Sequence, residues 1–459
     1  MSTAASKDMN VFARWRPLTE SEAATGEIAR TTLETPSKLT TITASPEANA
    51  VKVRPWGTFP IPPWKSSPAF RAVFNPETDN TTVYQTVVAP ALPRLMLGAN
   101  CSFFAYGHSG SGKTHTMVGY DQEGEETVGL SLAAARDLFQ LLDAANESDP
   151  SHPLGIGLSV FELRSKNAID LLNNGTKCDI REGPDGKVHI RGQPEMLESG
   201  EVRVNFIVKQ ACWTFEDLKK NLNRAMALRS VGSSAVHDQS SRSHAILEFE
   251  IINQRLIDAR AAVVEEKAKA VPICKEVDDL FYLLSEIKRR DRDGESGTNQ
   301  VDPRAIDLKK EAVENDLARA RKLRTKLQAK VTAAEKSIAS LSKGARAPCL
   351  GTKLVFVDLA GAEYHNFKAD NSDTSIHERQ EGFQINSDVM ALKEVMRAWS
   401  KGMPRIPFRS SPLTMVLREY FAGHKKGISA VIVTLSPARE RYGATLDSLR
   451  YGSMVGAPA

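Results

Sequence analysis

The stretch from Gly107 to Thr114 constrains this chain more than any other. It reads Gly-His-Ser-Gly-Ser-Gly-Lys-Thr and meets the phosphate-loop pattern G-x-x-x-x-G-K-[ST] at every fixed position. An apolar run of strand length, Cys101 to Tyr106, precedes it, and a helix opens after it at His115. A strand leading through the loop into a helix is the context the pattern requires. Glycines let the backbone turn tightly and point its N–H groups inward. Gly107, His108, Ser109, Gly110, Ser111, Gly112 and His115 are therefore candidates to surround phosphate oxygens, helped by the partial positive charge of a helix N-terminus. Lys113 can reach the outer phosphates, and the Thr114 hydroxyl can hold Mg2+. A Gly-Ser loop matching by chance is the alternative, and the flanking strand and helix speak against it.

Length and composition set the frame. At 459 residues, 41% hydrophobic and 25% charged, the chain can bury a sizeable core in one large domain or a few smaller ones. A net charge of +4 gives no global pull toward nucleic acid. Cys101, Cys178, Cys212, Cys274 and Cys349 are scattered, odd in number and without C-x-x-C pairing. That argues for reduced thiols, a cytosolic setting and no zinc site. No apolar run approaches the roughly 18 residues of a membrane span, and the first residues hold no signal-peptide core.

Strand-like and helix-like segments alternate along the chain. Residues 10–18 read as a first strand, ended by Pro17. Residues 19–68, rich in Thr, Ser and Pro, read as short strands and loops, and 69–74 as another strand. Val83, Val87, Val88, Leu92 and Leu95 have helical spacing, distorted by Pro90 and Pro93. Residues 129–143 and 215–228 read as helices, 155–163, 245–252, 353–357 and 428–434 as strands. Residues 180–181 and 188–191 read as a hairpin about 184–186. Helices near 378–399, 411–421 and 444–454 complete the pattern. The alternation predicts an α/β fold, a central and mostly parallel twisted sheet with helices on both faces.

Residues 253–346 break the alternation, because they hold no strand signal. Positions 317, 320, 324, 327, 331, 334, 338 and 341 step alternately by three and four, a heptad seam with one polar break at Arg324. An earlier arm carries Val277, Leu280, Phe281, Leu284 and Ile287, and a polar turn at 291–303 separates the two. The reading is an antiparallel helical hairpin, coiled-coil-like, inserted in a loop of one α/β domain spanning 1–459.

Two further stretches say what phosphate binding is for. Asp358 ends an apolar strand, with Gly361 three residues on. Such an Asp suits the Mg2+ shell, and such a Gly N–H suits a terminal phosphate. Ser240 and Ser241, followed by Arg242, stand just before another strand and suit phosphate, Mg2+ and a bound water. Each motif alone is weak.

Taken together, Gly107–Thr114, the run Ser240 to His244 and the run Asp358 to Glu363 resemble, in order and context, the kinesin motor domain. Arg14 to Pro17 resembles its R-x-R-P strand, Ile406 to Arg409 its V-P-Y-R, and Thr445 to Tyr451 its last helix. The resemblance covers roughly residues 10–455, apart from 253–346. It implies a kinesin/myosin-type phosphate-loop fold and an ATPase that converts loss of the γ-phosphate into altered microtubule binding or movement. It implies ATP and Mg2+ as ligands and a microtubule-associated, cytoskeletal setting. Lys113 and Thr114 would serve phosphate and metal. Ser240 and Ser241 would form a first switch, and Asp358 and Gly361 a second. Arg242 and Glu363 would close the pocket around the attacking water. Arg14, Arg16 and Pro17 would lie on the adenine side.

Departures from the family pattern fall in three places, one of them a long polar loop from Tyr364 to Glu378. His237 and Ala362 replace an Asn and a Ser beside the switches. Pro412 and Met415 stand where basic track contacts are expected. Between Val395 and Ser429 the basic residues Arg397, Lys401, Arg405, Arg409, Arg418, Lys425 and Lys426 face one acid, Glu419. Lys401, Arg405, Arg409, Arg418, Lys425 and Lys426 are the candidate contacts to an acidic microtubule. The insertion's second arm is basic too and suits the microtubule or a further protein partner. One rival reading is a non-motile, microtubule-bound anchor or regulator. Another is an unrelated nucleotide hydrolase such as a GTPase, against which no N-K-x-D motif is found.

If Arg242 and Glu363 act as one unit, Arg242→Ala and Glu363→Ala should each leave ATP binding largely intact. Each should lower turnover by orders of magnitude, and the double variant should be little worse than either. Steady-state turnover across that cycle is the check, and additive losses refute the pairing.

Overall fold

Cys101–Tyr106 forms a strand in which all six residues are buried. A largely apolar run of this length is stable only where both faces of a sheet are covered. In the computed structural model it lies between two parallel neighbours, Lys353–Asp358 and Ser429–Leu435. Asn10–Trp15 runs parallel beside Ser429–Leu435, and Ala72–Phe74 parallel at that edge. Toward the other edge the sheet turns antiparallel. His244–Ile252 pairs with Lys353–Asp358, and Gly155–Arg164 pairs with His244–Ile252. Asn167–Asp170, Thr176–Glu182, Val188–Met196 and Val202–Phe206 follow in order. The sheet is therefore mixed, and its parallel part carries the phosphate loop. The structure describes residues 9–47, 51–54, 57–122, 125–164, 166–183, 186–198, 201–231, 242–293, 303–342, 348–361, 376–422 and 427–457.

Side chains alternate between the two faces of the central strand. Phe104 and Tyr106 join one core with Leu392, Leu413, Leu417 and Leu449 of the later helices. Phe103, of opposite parity, stacks on Phe356 with centroids 5.6 Å apart, and Phe356 in turn meets Phe249. Each such aromatic pair adds about 0.5–1.5 kcal/mol beyond area burial. The two prolines act as expected. Asn80–Val87 is helical, then a single-turn 3-10 segment at Ala89–Ala91 leads into the short helix Leu92–Met96. Among the described residues no helix is long and apolar enough to cross a membrane.

Contacts divide the chain into two units. One holds Met1–Ile190, Ile207–Ile252 and Pro348–Ala459; the other holds Arg191–Phe206 and Asn253–Ala347. In the second, Gln254–Asp293 and Pro303–Ser342 are two 40-residue helices. Lys267 pairs with Glu335 at 2.8 Å, and Lys288 with Glu314 at 3.0 Å, which fixes an antiparallel register. Val277, Leu284, Leu317 and Ala320 are buried between the helices. Of the heptad positions, 317, 320 and 331 are buried, 327, 334, 338 and 341 half-buried, and Arg324 exposed. Phe281 departs from expectation. It is 55% exposed, because the seam runs through Val277, Leu280 and Leu284 and a residue at 281 falls beside it. There it meets the Arg321 guanidinium at 6.0 Å.

Long insertions cost little closure entropy, and the two helices carry their own buried seam. A protein with residues 258–344 replaced by a short Gly-Ser linker should therefore stay folded and bind nucleotide. Melting temperature and nucleotide titration test this, and loss of cooperative unfolding would refute it.

Candidate nucleotide site

The loop between Tyr106 and Lys113 is shaped by its glycines. A Cβ on Gly107 would sit 2.5 Å from Ser111 Oγ and from two atoms of Thr434. Gly110 and Gly112 have φ of +71° and +98°, the left-handed region that favours glycine. Ser111 and Thr434 share a hydrogen bond of 2.7 Å between their hydroxyls, which ties the loop to the neighbouring strand. The helix that follows is short, Lys113–Met117. Lys113 is buried and donates to the carbonyls of Gly107 and His108 at 3.1 and 2.8 Å. Its ammonium thus lies in the bowl of the loop. His108 is buried, with Nδ1 2.6 Å from Ser109 O, and burial lowers its pKa to about 4. It is neutral near pH 7. His115 is half-buried, and burial, with Arg14 nearby, lowers its pKa.

Asp358 is fully buried at the end of its strand. Its Oδ2 accepts from the Thr114 hydroxyl at 2.7 Å and from Arg229 Nη1 at 2.8 Å. Arg229 is buried too; it donates to Ser243 O at 3.1 Å and lies 3.9 Å from Glu162. Ser243 Oγ donates to Glu162 at 2.8 Å. Asp358 Oδ1 is buried and has no hydrogen-bond partner among the described residues. A hydroxyl and a carboxylate side by side, with one carboxylate oxygen unsatisfied, are the hard oxygen donors that Mg2+ takes. Gly361 packs on the loop, since a Cβ there would lie 3.0 Å from Ser109 N. His244 Nδ1 accepts from the Ala360 N–H at 3.0 Å. Burial lowers the His244 pKa to about 3, which keeps that nitrogen an acceptor.

Arg14 and Arg16 take different places. Arg14 is buried, bonded to Asn80 Oδ1 at 2.5 Å and to Thr116 Oγ1 at 2.9 Å. Burial lowers its pKa to about 10, so it stays charged. Arg16 donates from Nε to Gly110 O at 2.7 Å and grips Glu22 through both terminal nitrogens. Pro17 is exposed. Arg242 is described and half-buried, whereas Ser240, Ser241 and Glu363 lie outside the described residues, as do His237 and Ala362. Among the basic candidates, Lys401 and Arg405 are exposed. Arg409 makes two hydrogen bonds to Glu182, at 3.0 and 2.7 Å, and Arg418 lies 3.6 Å from the same carboxylate. Lys425 and Lys426 lie outside the described residues.

Reading by motif missed Arg229, Glu162, Asn80, Glu22 and Glu182. Arg229 has no local signature; only the fold brings it to Asp358. Glu22 had one. It stands three residues after Thr19, and its carboxylate accepts from the Thr19 N–H at 3.1 Å, a helix-start pattern readable in sequence.

The sequence model of the kinesin motor domain matches residues 14–270 and 324–457. Kinesin-like protein KIN-13A of rice is 28% identical over 387 residues, 84% of this chain and 34% of the relative. Kinesin-like protein KIN-13B of Arabidopsis thaliana is 27% identical, over 84% of this chain and 39% of the relative. Human kinesin-like protein KIF24 is 26% identical, over 84% and 20%. The chain thus spans a fifth to two-fifths of these relatives' length. Among solved structures, a KIF14 dimer with AMP-PNP in complex with a microtubule is similar, with a TM-score of 0.57, 20% identity and coverage of 98% and 93%. So is a fast kinesin, with a TM-score of 0.59, 18% identity and coverage of 99% and 93%. These likenesses agree on the fold, and the match of the family over most of its length makes this chain a member of the kinesin motor-domain family.

Proposed function

We propose that this chain is a microtubule-stimulated ATPase, a kinesin-type motor that converts ATP hydrolysis into altered microtubule binding or movement. The observation that carries this reading is the shared carboxylate. Asp358 joins Thr114 of the phosphate loop to Arg229 of the helix Phe215–Val231, just before the first-switch stretch. Gly361, three residues on, lies against Ser109. A change at the terminal phosphate therefore meets groups that connect directly to both switch stretches. Lys113 and the loop N–H groups would hold the phosphates, and Thr114 and Asp358 the Mg2+. Bound Mg2+ supplies charge neutralisation at the β- and γ-phosphates. Arg242 and Glu363 remain the proposed pair around the attacking water.

The track surface supports a second, narrower reading, a microtubule-bound ATPase that anchors or regulates and does not move. Pro412 and Met415 stand where the family pattern leads one to expect basic contacts, and Glu182 pairs with Arg409 and Arg418. Single-molecule motility separates the two readings.

MgATP turnover should rise on adding microtubules, and Lys113→Ala should abolish nucleotide binding or turnover. Parent-rate hydrolysis by that variant would overturn the reading of the loop. Glu182 competes inside the molecule for the cations that an acidic track needs. Glu182→Gln should therefore tighten microtubule binding about two- to fivefold at low salt, with the gain fading as ionic strength rises. Co-sedimentation at two salt concentrations reads this, and unchanged affinity would mean that Arg409 and Arg418 do not contact the track.

A further inference from the structure

We infer that Glu22 is a positioning residue for nucleotide binding. Through Arg16 it holds the Gly110 carbonyl of the phosphate loop and so governs how firmly the loop keeps a nucleoside di- or triphosphate. The inference rests on the loop being the nucleotide site, as proposed above.

Gly110 has no side-chain neighbour to hold it. It is exposed, its φ is +71°, and a Cβ built on it meets nothing within 4 Å. No side-chain packing holds this residue, so its peptide is fixed by hydrogen bonds. Arg16 Nε bonds the Gly110 carbonyl at 2.7 Å. The Ser111 N–H on the far side of the same peptide bonds His108 O at 3.2 Å. If that peptide flipped, both of these bonds would be lost and a carbonyl oxygen would turn into the loop, where an acceptor against an anion repels. Holding the Gly110 carbonyl outward therefore keeps the loop in its anion-binding form.

Arg16 can do this only while its own plane is fixed. Nη1 bonds Pro17 O at 2.7 Å and Glu22 Oε2 at 2.6 Å, and Nη2 bonds Glu22 Oε1 at 2.5 Å. This is the two-pronged guanidinium–carboxylate geometry that adds direction as well as strength. The side chains are 18% and 10% exposed, so the pair is far less screened than an ordinary surface ion pair. Glu22 is anchored in turn by the Thr19 N–H. The Arg16 bonds hold its carboxyl down to about 2, so it stays charged at any working pH. The chain of command runs from Thr19 to Glu22, to Arg16, to Gly110.

The test uses Glu22→Gln, which keeps the shape and one acceptor but removes the charge, and Arg16→Lys, which keeps the charge but removes the fork. Release of a fluorescent ADP analogue by stopped flow should be about tenfold faster in each, the effect of losing a charge-assisted hydrogen bond. KM for ATP should rise by a similar factor without a fall in kcat, and melting temperature should stay near the parent's. Because the two side chains act as a unit, the double variant should release little faster than either single. Glu22→Asp should restore part of the loss. Release within twofold of the parent in Arg16→Lys overturns the inference even if Glu22→Gln folds poorly. So does a fall in kcat and melting temperature with the release rate unmoved. A parent protein that binds no nucleotide overturns the reading of the loop itself, and this inference with it.

Discussion

One buried carboxylate carries the site. Asp358 stands where three parallel strands, Cys101–Tyr106, Lys353–Asp358 and Ser429–Leu435, end side by side, and ligands of open α/β sheets collect at such carboxyl ends. A buried charge without a partner is costly, and removing one member of a buried pair costs about 3–5 kcal/mol. Arg229 therefore does more than decorate. It allows a carboxyl group to sit at 0% exposure while one of its oxygens has no hydrogen-bond partner among the described residues. The arrangement stores an acceptor where a cation is useful. It also makes the end of the helix Phe215–Val231 electrostatically dependent on the phosphate loop through Thr114.

The loop's own shape comes from the opposite kind of constraint, the lack of side chains. Gly107 is required by crowding, because Ser111 and Thr434 fill the space a Cβ would need. Gly110 is required by backbone conformation alone, with open space around it. The first residue is held by packing and the second by a hydrogen bond from Arg16.

Much of this was legible in the sequence, and for a physical reason. The phosphate loop, Asp358 and the buried strands are local patterns, set by backbone sterics and by apolar runs that have only one stable environment. The hairpin's seam was legible from its three-four spacing, down to the exposed Arg324, because an arginine cannot enter a packed seam at low cost. Phe281 was misplaced because one residue along a helix turns a side chain through about 100°. The short strands Asn167–Asp170 and Val202–Phe206 went unread because half-exposed ribbons need no apolar run. Pairings such as Arg229 with Asp358, or Glu182 with Arg409 and Arg418, join residues far apart in the chain. A charge count between 395 and 429 registers the cations but not the acid that faces them, so the surface is less positive than its sequence.

The strands on either side of the insertion give it a mechanical consequence. His244–Ile252 and Lys353–Asp358 pair antiparallel, Ala245 opposite Asp358 and Glu250 opposite Lys353. One end of this ladder therefore holds the site, and the other is where the chain leaves and re-enters. At that second end Glu248 and Glu250 are buried and paired with Lys209, and Lys353 lies 3.0 Å from Glu248. Burial pushes the Glu248 carboxyl up, and the two lysines more than reverse it. The Tyr420 hydroxyl donates to Glu248 at 3.1 Å, which ties the cluster to the helix Pro412–Ala422 that carries Arg418. Charges buried this deeply tolerate little displacement, because each separation exposes an uncompensated partner. The cluster thus locks the register of both strands at the root of the insertion. A register slip of one residue would turn Asp358 to the wrong face of the sheet. The ion cluster and Asp358 thus stand toward opposite ends of one antiparallel ladder.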